Sequence, residues 1–301
     1  MKLALLIPCY NEEKTIGQVI IDFKKQLPEA DIYVYDNNST DATSKVALEH
    51  GAIVRHEYRQ GKANVVRSMF YQIDADVYIM VDGDNTYPAS QIHKLLDVME
   101  KKNCDMVVGD RLSNGTYGKE NSRAFHGFGN NLVRSLINII FKAKLNDIMT
   151  GYRVFSKRFI KNYPVMCQGF ELETEMTIFA LNNNLNIAEV PVDFTDRPEG
   201  SFSKLNTFTD GRKVIMTIFN LFRHYKPLQF FGAFSLLFIA LSLIFGIPPV
   251  MEYFKYHFVY KVPSAILASG LMLVSILSFA IGLILDTISI NDKKHFQVKL
   301  L

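Results

Sequence analysis

Short apolar runs alternate with longer mixed stretches over the first two-thirds of the chain. Leu3 to Ile7, Ile32 to Tyr35, Ala52 to Arg55, Val77 to Val81 and Met106 to Val108 are brief, β-rich and nearly free of charge, so they predict buried strands. Between them, helical spacing predicts helices near Thr15–Gln26, Thr40–Glu49, Lys62–Ile73 and Ser90–Lys101. Such alternation implies βαβ units and a mainly parallel sheet. The first four strands close at Pro8, Asp36, His56 and Asp82, which gathers polar and turn-forming residues at one sheet edge. Met1 to Tyr10 carries one Lys and an apolar stretch, but Asn11-Glu12-Glu13 follows at once and no small-residue cleavage site appears. It reads as a first strand and not as a targeting segment.

The pattern changes near Pro227. Leu228 to Met251 and Val262 to Leu285 carry no charged residue, apart from Asp286 just beyond the second. Each is long enough to cross a hydrocarbon core of about 30 Å. Pro248-Pro249 is expected to end the first span, and the short connector Glu252 to Lys261 makes the pair a hairpin. Arg212, Lys213, Arg223 and Lys226 precede the spans, Lys293, Lys294 and Lys299 follow them, and the connector holds only Lys255 and Lys261. That bias places both ends in the cytoplasm. Before the hairpin, Val214, Ile215, Ile218, Phe219, Phe222 and Tyr225 recur at helical spacing. This amphipathic helix fits the membrane surface or the flank of the α/β core, and Asn130 to Phe141 allows the same two readings. The expected division is therefore 1–205, an α/β domain; 206–226, a juxtamembrane helix; 227–290, the hairpin; and 291–301, a cytoplasmic tail.

Composition adds constraints. The net charge is only +3 and no long basic run occurs, so no nucleic-acid field is implied. The three cysteines lack metal or disulfide spacing, which suits a reducing compartment.

The candidate chemistry lies in Asp82-Gly83-Asp84, directly after the fourth apolar run. Ligands of open α/β sheets bind outside the carboxyl ends of strands. Two hard carboxylates there suit Mg²⁺ or Mn²⁺ holding phosphate oxygens, and Gly83 would let the backbone approach a ligand. A solvated Asp-Gly turn is the bland alternative. Asp36 closes the second strand, with Ser39 or Thr40 as the expected helix N-cap, leaving Asp36 for ribose or base donors. No G-x-G-x-x-G follows a strand and no Walker A sequence occurs, so a glycine phosphate cradle is absent.

The ordered segments Pro8 to Glu12, Asp36 to Asp41 and Asp82 to Asp84 resemble glycosyltransferase family 2. Gly109-Asp110-Arg111, Thr150-Gly151-Tyr152-Arg153, Glu189-Val190-Pro191 and Arg197 to Leu205 narrow the resemblance to its polyprenyl-phosphate branch, which includes dolichyl-phosphate mannosyltransferases. The two-span C-terminus also resembles bacterial polyprenyl-phosphate glucosyltransferases. The resemblance covers roughly 1–205 and implies a GT-A type, Rossmann-like catalytic domain. It implies that Pro8, Tyr10, Glu12 and Asp36 line the base and ribose pocket, and that Asp82 and Asp84 hold Mg²⁺ or Mn²⁺. Arg197 and Lys204 would bind the donor diphosphate, and Arg111 and Arg123 the acceptor phosphate, with Arg153 a further candidate. Glu173 and Glu175 are candidates near sugar or metal, although a solvated helix face fits them equally. Lys62 is either a donor contact or an ordinary exposed lysine. Thr86 stands where some relatives have Gln, and Gly127 where some have Ser.

The implied activity is an inverting transfer of one sugar from a UDP- or GDP-sugar to undecaprenyl or dolichyl phosphate at the cytoplasmic membrane face. Hairpins of this kind also allow a homo-oligomer. A processive polysaccharide synthase would carry a Gln-x-x-Arg-Trp motif, and this chain has no Trp. A non-catalytic membrane scaffold stays open as a different class, against which the retained Asp82, Asp84, Arg197 and Lys204 count.

Overall fold

In the computed structural model, residues 1–115, 126–167, 171–197 and 207–300 are described. Arg123 and Lys204 lie outside the described residues. Two compact units result, Met1–Ile218 and Phe219–Leu301.

The first unit is built on a seven-stranded sheet. Its strands are β1 (Leu3–Cys9), β2 (Asp31–Asp36), β3 (Ile53–His56), β4 (Val77–Met80), β5 (Met106–Asp110), β6 (Arg153–Ser156) and β7 (Ile187–Pro191). The spatial order is β3-β2-β1-β4-β6-β5-β7. All neighbours are parallel except those of β6, which runs antiparallel to both β4 and β5. The flanking helices include α1 (Ile16–Gln26), α2 (Thr43–Glu49), α3 (Lys62–Gln72), α4 (Ile92–Lys101), α5 (His126–Phe141), α6 (Lys157–Asn162) and α7 (Leu172–Asn182). Leu5, Ile7, Val34, Ile79 and Val107 from the strands and Ile16, Ile20 and Leu95 from the helices are buried in one core. β1, β2, β4 and β5 are buried almost throughout and read as continuous apolar runs, whereas β3 at the sheet edge is partly exposed.

The direction of β6 matters most for the site. Met80 and Val108 both pair with Arg153, at the start of β6. The residues that precede β6 therefore arrive at the same edge as the residues that follow β4 and β5. Asp147 to Tyr152, Asp82 to Asp84 and Asp110-Arg111 meet there although they are far apart in sequence.

Helix α2 starts at Thr43, not Thr40, and neither Ser39 nor Thr40 caps it. Ala42 is the N-cap and has no capping side chain, and Asp41 Oδ1, one residue earlier, accepts from Thr43 N at 3.0 Å.

The second unit contains α9 (Pro227–Tyr256) and α10 (Val262–Leu300), preceded by α8 (Thr207–Tyr225), which crosses the unit boundary. Both α9 and α10 are long and apolar enough to span a membrane, with mean hydropathy 2.4 and 2.3. One expectation is corrected: the Pro248-Pro249 pair does not end the first helix, which continues to Tyr256. The segment expected as the tail is helical, since α10 runs to Leu300. A proline at 249 leaves the carbonyl of Phe245 without its helical donor. Ser264 Oγ of α10 donates to that oxygen at 2.7 Å, so the helix survives. Ser242 Oγ donates to Ala268 O at 2.8 Å, and Ser275 Oγ donates to Ser235 O at 2.9 Å, extending the polar seam between the helices.

Candidate functional site

The carboxylate pair sits where β4 ends, and each member has a cation against it. Lys62, the first residue of α3, places Nζ 2.6 Å from Asp82 Oδ1 and 2.6 Å from Glu173 Oε1. Arg197 Nη2 lies 2.5 Å from Asp84 Oδ2, and its Nη1 is 3.6 Å from Glu12 Oε1. The other oxygen of Asp84 accepts from Thr86 Oγ1 at 2.7 Å and Thr86 N at 3.2 Å. Thr86 therefore orients Asp84.

Charge and burial act in opposite directions on the pair. Burial pushes the Asp82 carboxyl up, but the Lys62 ammonium outweighs it and holds Asp82 below the usual carboxylate range. Asp84 is pushed up, by burial first and then by the Asp82 charge. Burial pulls Lys62 down, yet Asp82 and Glu173 together raise it above the ordinary lysine value.

Glycines let this edge close. A Cβ on Gly151 would stand 2.9 Å from Asp82 Cγ, so only glycine lets the backbone before β6 lie against that carboxylate. Tyr87 fixes the approach, its hydroxyl accepting from Gly151 N at 3.1 Å. Burial pushes that hydroxyl up to about 12, so it stays protonated. Gly83 has a different role from the expected one. Its hydrogen faces the core, where a Cβ would meet Cys9 Sγ at 2.8 Å, and its carbonyl accepts from Thr15 Oγ1 at 2.7 Å.

At the ends of β1 and β2, Glu12 and Asp36 are buried and Pro8 and Tyr10 are half-buried. Asp36 is engaged in shaping its own loop, accepting from Ser39 N at 2.9 Å and Ser44 Oγ at 2.5 Å. Asn37 was not singled out from the sequence. It is buried, donates to Glu57 O at 2.7 Å and Arg59 O at 2.9 Å, and accepts from Gly61 N at 2.7 Å. It thereby sets the loop that delivers Lys62.

On the other side, Arg111 is gripped by Asp147. Its Nε and Nη2 donate to the two Asp147 oxygens at 2.7 and 3.0 Å. Its guanidinium also stacks over Phe194, 5.7 Å from the ring centre. Burial pushes Asp147 up, but Arg111 outweighs it and the carboxyl lies below its usual range. Asp147 was missed as well. Its one signal was an acid just upstream of Thr150-Gly151, which carries no meaning until β6 is known to run backwards.

Two expected site residues point elsewhere. Arg153 is fully buried, and its guanidinium donates to Ile148 O at 2.5 Å, Thr150 O at 3.0 Å and Thr177 Oγ1 at 3.0 Å. It braces the segment before β6 and has no face open to a phosphate. Glu175 accepts from Met166 N at 3.0 Å and Cys167 N at 2.8 Å, so it holds a loop and not a ligand. Glu173, in contrast, reaches the carboxylate pair through Lys62.

The donor set fits a hard divalent ion. Among the described residues, no three His, Cys, Asp or Glu side chains converge as a metal cage. Mg²⁺ and Mn²⁺ do not need one, because they commonly take one or two carboxylates and complete their shell with water and phosphate oxygens. A buried Asp84 beside a half-buried Asp82 at one strand end offers such an ion two hard oxygen ligands.

The sequence matches glycosyl transferase family 2 across residues 4–163. Glycosyltransferase AglJ of Haloferax volcanii is 28% identical over 281 residues, 93% of this chain and 91% of that protein. The dolichyl-phosphate hexose transferase of the same organism is 29% identical over 212 residues, 70% of this chain and 90% of its own length. Among solved structures, glucosyl-3-phosphoglycerate synthase from Mycobacterium tuberculosis, in complex with Mn²⁺, uridine diphosphate and glucosyl-3-phosphoglycerate, superposes with a TM-score of 0.61 at 20% identity. That likeness, over 73% of this chain and 79% of the other, shows a shared GT-A fold. With its strand-end carboxylate pair and a family match over more than half its length, this chain belongs to glycosyl transferase family 2.

Proposed function

We propose that the protein transfers a single sugar, with inversion, from a UDP- or GDP-sugar to a polyprenyl phosphate at the cytoplasmic face of a membrane. The observation that carries this reading is the Asp82–Asp84 pair at the end of β4, half-buried at Asp82 and buried at Asp84, held by Lys62 and Arg197 in a chain that also has two membrane-spanning candidates. Relatives named as dolichyl-phosphate hexose transferase and dolichol-phosphate mannosyltransferase support the acceptor class. The metal-bound and uridine diphosphate-bound structural neighbour supports the donor class.

In this mechanism a phosphate oxygen of the lipid bonds to the anomeric carbon as the bond to the nucleoside diphosphate breaks. Negative charge grows on the departing diphosphate. Asp84 and Asp82 would hold Mg²⁺ or Mn²⁺, which stabilises that charge when bound. Arg197 and Lys204 would add positive charge to the same group. The acceptor phosphate has a second pKa of about 6, so it is already largely ionised and needs no strong general base. It needs guanidinium donors, the role for Arg111, oriented by Asp147, and for Arg123. Lys62 and Glu173 keep the Asp82 carboxylate fixed while charge moves.

The test is a panel of UDP- and GDP-sugars incubated with undecaprenyl or dolichyl phosphate and membranes carrying the protein. One donor is expected to yield an organic-soluble, acid-labile lipid with the mass of one added hexose or N-acetylhexosamine. Asp84→Ala is expected to lower that conversion by at least about a thousandfold. Full activity in Asp84→Ala would sink the site assignment, and no lipid product from any donor would sink the acceptor class.

A further inference from the structure

The two cations at the carboxylate pair are held in different ways. Lys62 is clamped from both sides, by Asp82 and by Glu173, each at 2.6 Å. Withdrawing it would leave the buried Glu173 and the half-buried Asp82 without a counter-charge, so it is a fixed part of the site. Arg197 approaches from the other side, on a stretch that belongs to no helix or strand. That stretch is tied back at Thr195, whose N–H donates to Thr86 O at 3.1 Å. Arg197 holds Asp84 by Oδ2, while Thr86 already holds Oδ1. The oxygen best placed to take a metal is thus the one a guanidinium grips. Two cations on one carboxylate oxygen in a buried site repel strongly.

We propose that Arg197 is an exchangeable counter-ion. Without ligand it neutralises Asp84 and competes with the metal. When a nucleoside diphosphate arrives, the guanidinium transfers to the diphosphate oxygens, which it matches in bidentate fashion, and Asp84 Oδ2 is released to the metal. Metal and nucleotide then strengthen each other's binding, and by linkage the coupling is equal in both directions. A free metal ion would not load the site without its substrate. This inference rests on the nucleotide-sugar reading above.

The experiment measures free Mn²⁺ by electron paramagnetic resonance over the detergent-solubilised full chain, with and without UDP or GDP. In the unmodified protein, Mn²⁺ alone binds weakly, and saturation with one of the nucleotides tightens it at least tenfold. Arg197→Ala is expected to bind Mn²⁺ alone at least threefold more tightly than the unmodified protein. Nucleotide is expected to tighten Mn²⁺ binding less than threefold in that variant. The gain has to appear at one saturable site and vanish in Arg197→Ala/Asp84→Asn, which non-specific binding to a misfolded chain does not reproduce. Arg197→Lys, which keeps the charge, restores most of the coupling, and Glu12→Gln, which loosens the Arg197 Nη1 anchor, shifts Mn²⁺ binding in the same direction as Arg197→Ala by a smaller factor. The exchange is overturned if Arg197→Ala binds Mn²⁺ alone no more tightly, even though nucleotide and metal both bind. If neither UDP nor GDP binds and Asp84→Asn leaves Mn²⁺ binding unchanged, the nucleotide-sugar reading itself falls and takes the exchange with it.

Discussion

Gly151 controls how near the backbone can come to the carboxylate pair. A methyl group there would stand 2.9 Å from both Cγ and Oδ1 of Asp82, closer than side-chain atoms tolerate. The neighbour that must yield is Asp82, which Lys62 holds in place on its other side. Gly151→Ala is therefore expected to keep its fold and lose about a hundredfold in turnover, because misplacement of a reacting group by about 1 Å costs that much. Turnover within twofold of the unmodified protein, at an unchanged melting temperature, would mean that the position of Asp82 is not critical. At this scale the sequence revealed the residues whose meaning is local. Asp82 and Asp84 follow an apolar run, and Asp36 closes another. It could not reveal partners made by packing. Lys62 and Glu173 are 111 positions apart and meet only because α3 and α7 converge. Arg153 was misread because an arginine in a motif looks the same whether it faces a ligand or, as here, the carbonyls of Ile148 and Thr150.

Elements were legible where burial imposed a period. The first five strands and the four helices between them emerge from the alternation of apolar runs and amphipathic stretches, with ends shifted by a few residues. β6 opens on Arg153 and closes on Ser156, which leaves only Val154 and Phe155 as an apolar signal, and nothing in a period of two distinguishes parallel from antiparallel. That single direction decides which loops share the site edge. The prolines of α9 illustrate the opposite error, a local rule overridden by a neighbour. A breaker was expected to stop the helix, and Ser264 supplies the donor that the backbone lost. This account predicts a coupled pair. Ser264→Ala alone should cost the hairpin about 0.6 kcal/mol, with an upper bound near 1.7. In a Pro249→Ala background, the restored N–H can reach Phe245 O, and Ser264→Ala should then cost close to nothing. Detergent unfolding of the four variants measures the cycle. Equal cost in both backgrounds would show that the Ser264 bond does not replace the proline's missing donor.

At the scale of the whole molecule, the open question is which side of the membrane the Met1–Ile218 unit faces. Seven cations flank the two apolar stretches, Arg212, Lys213, Arg223 and Lys226 before the first and Lys293, Lys294 and Lys299 beyond the second, in the C-terminal part of α10. The connector offers two, and one of these is partly neutralised. Lys261 Nζ lies 3.1 Å from Glu252 Oε1, and Glu252 Oε2 accepts from Tyr260 N and Lys261 N at 3.2 and 3.1 Å. The connector is therefore a compact, weakly charged turn, the kind of segment that translocates most readily, while the flanks carry the charges that resist it. The site chemistry agrees, since a nucleotide-sugar donor has to reach it from the cytoplasm. The expected topology can be read with a membrane-impermeant maleimide on intact cells. Cys9 and Cys104 are buried, so replacing Cys167 by Ser gives a quiet background. Phe258→Cys, in the exposed connector, should label from outside, and Val298→Cys, exposed near the end of α10, only after permeabilisation. The reverse pattern would put the carboxylate pair on the far side of the membrane from its donor and overturn the proposed direction of transfer.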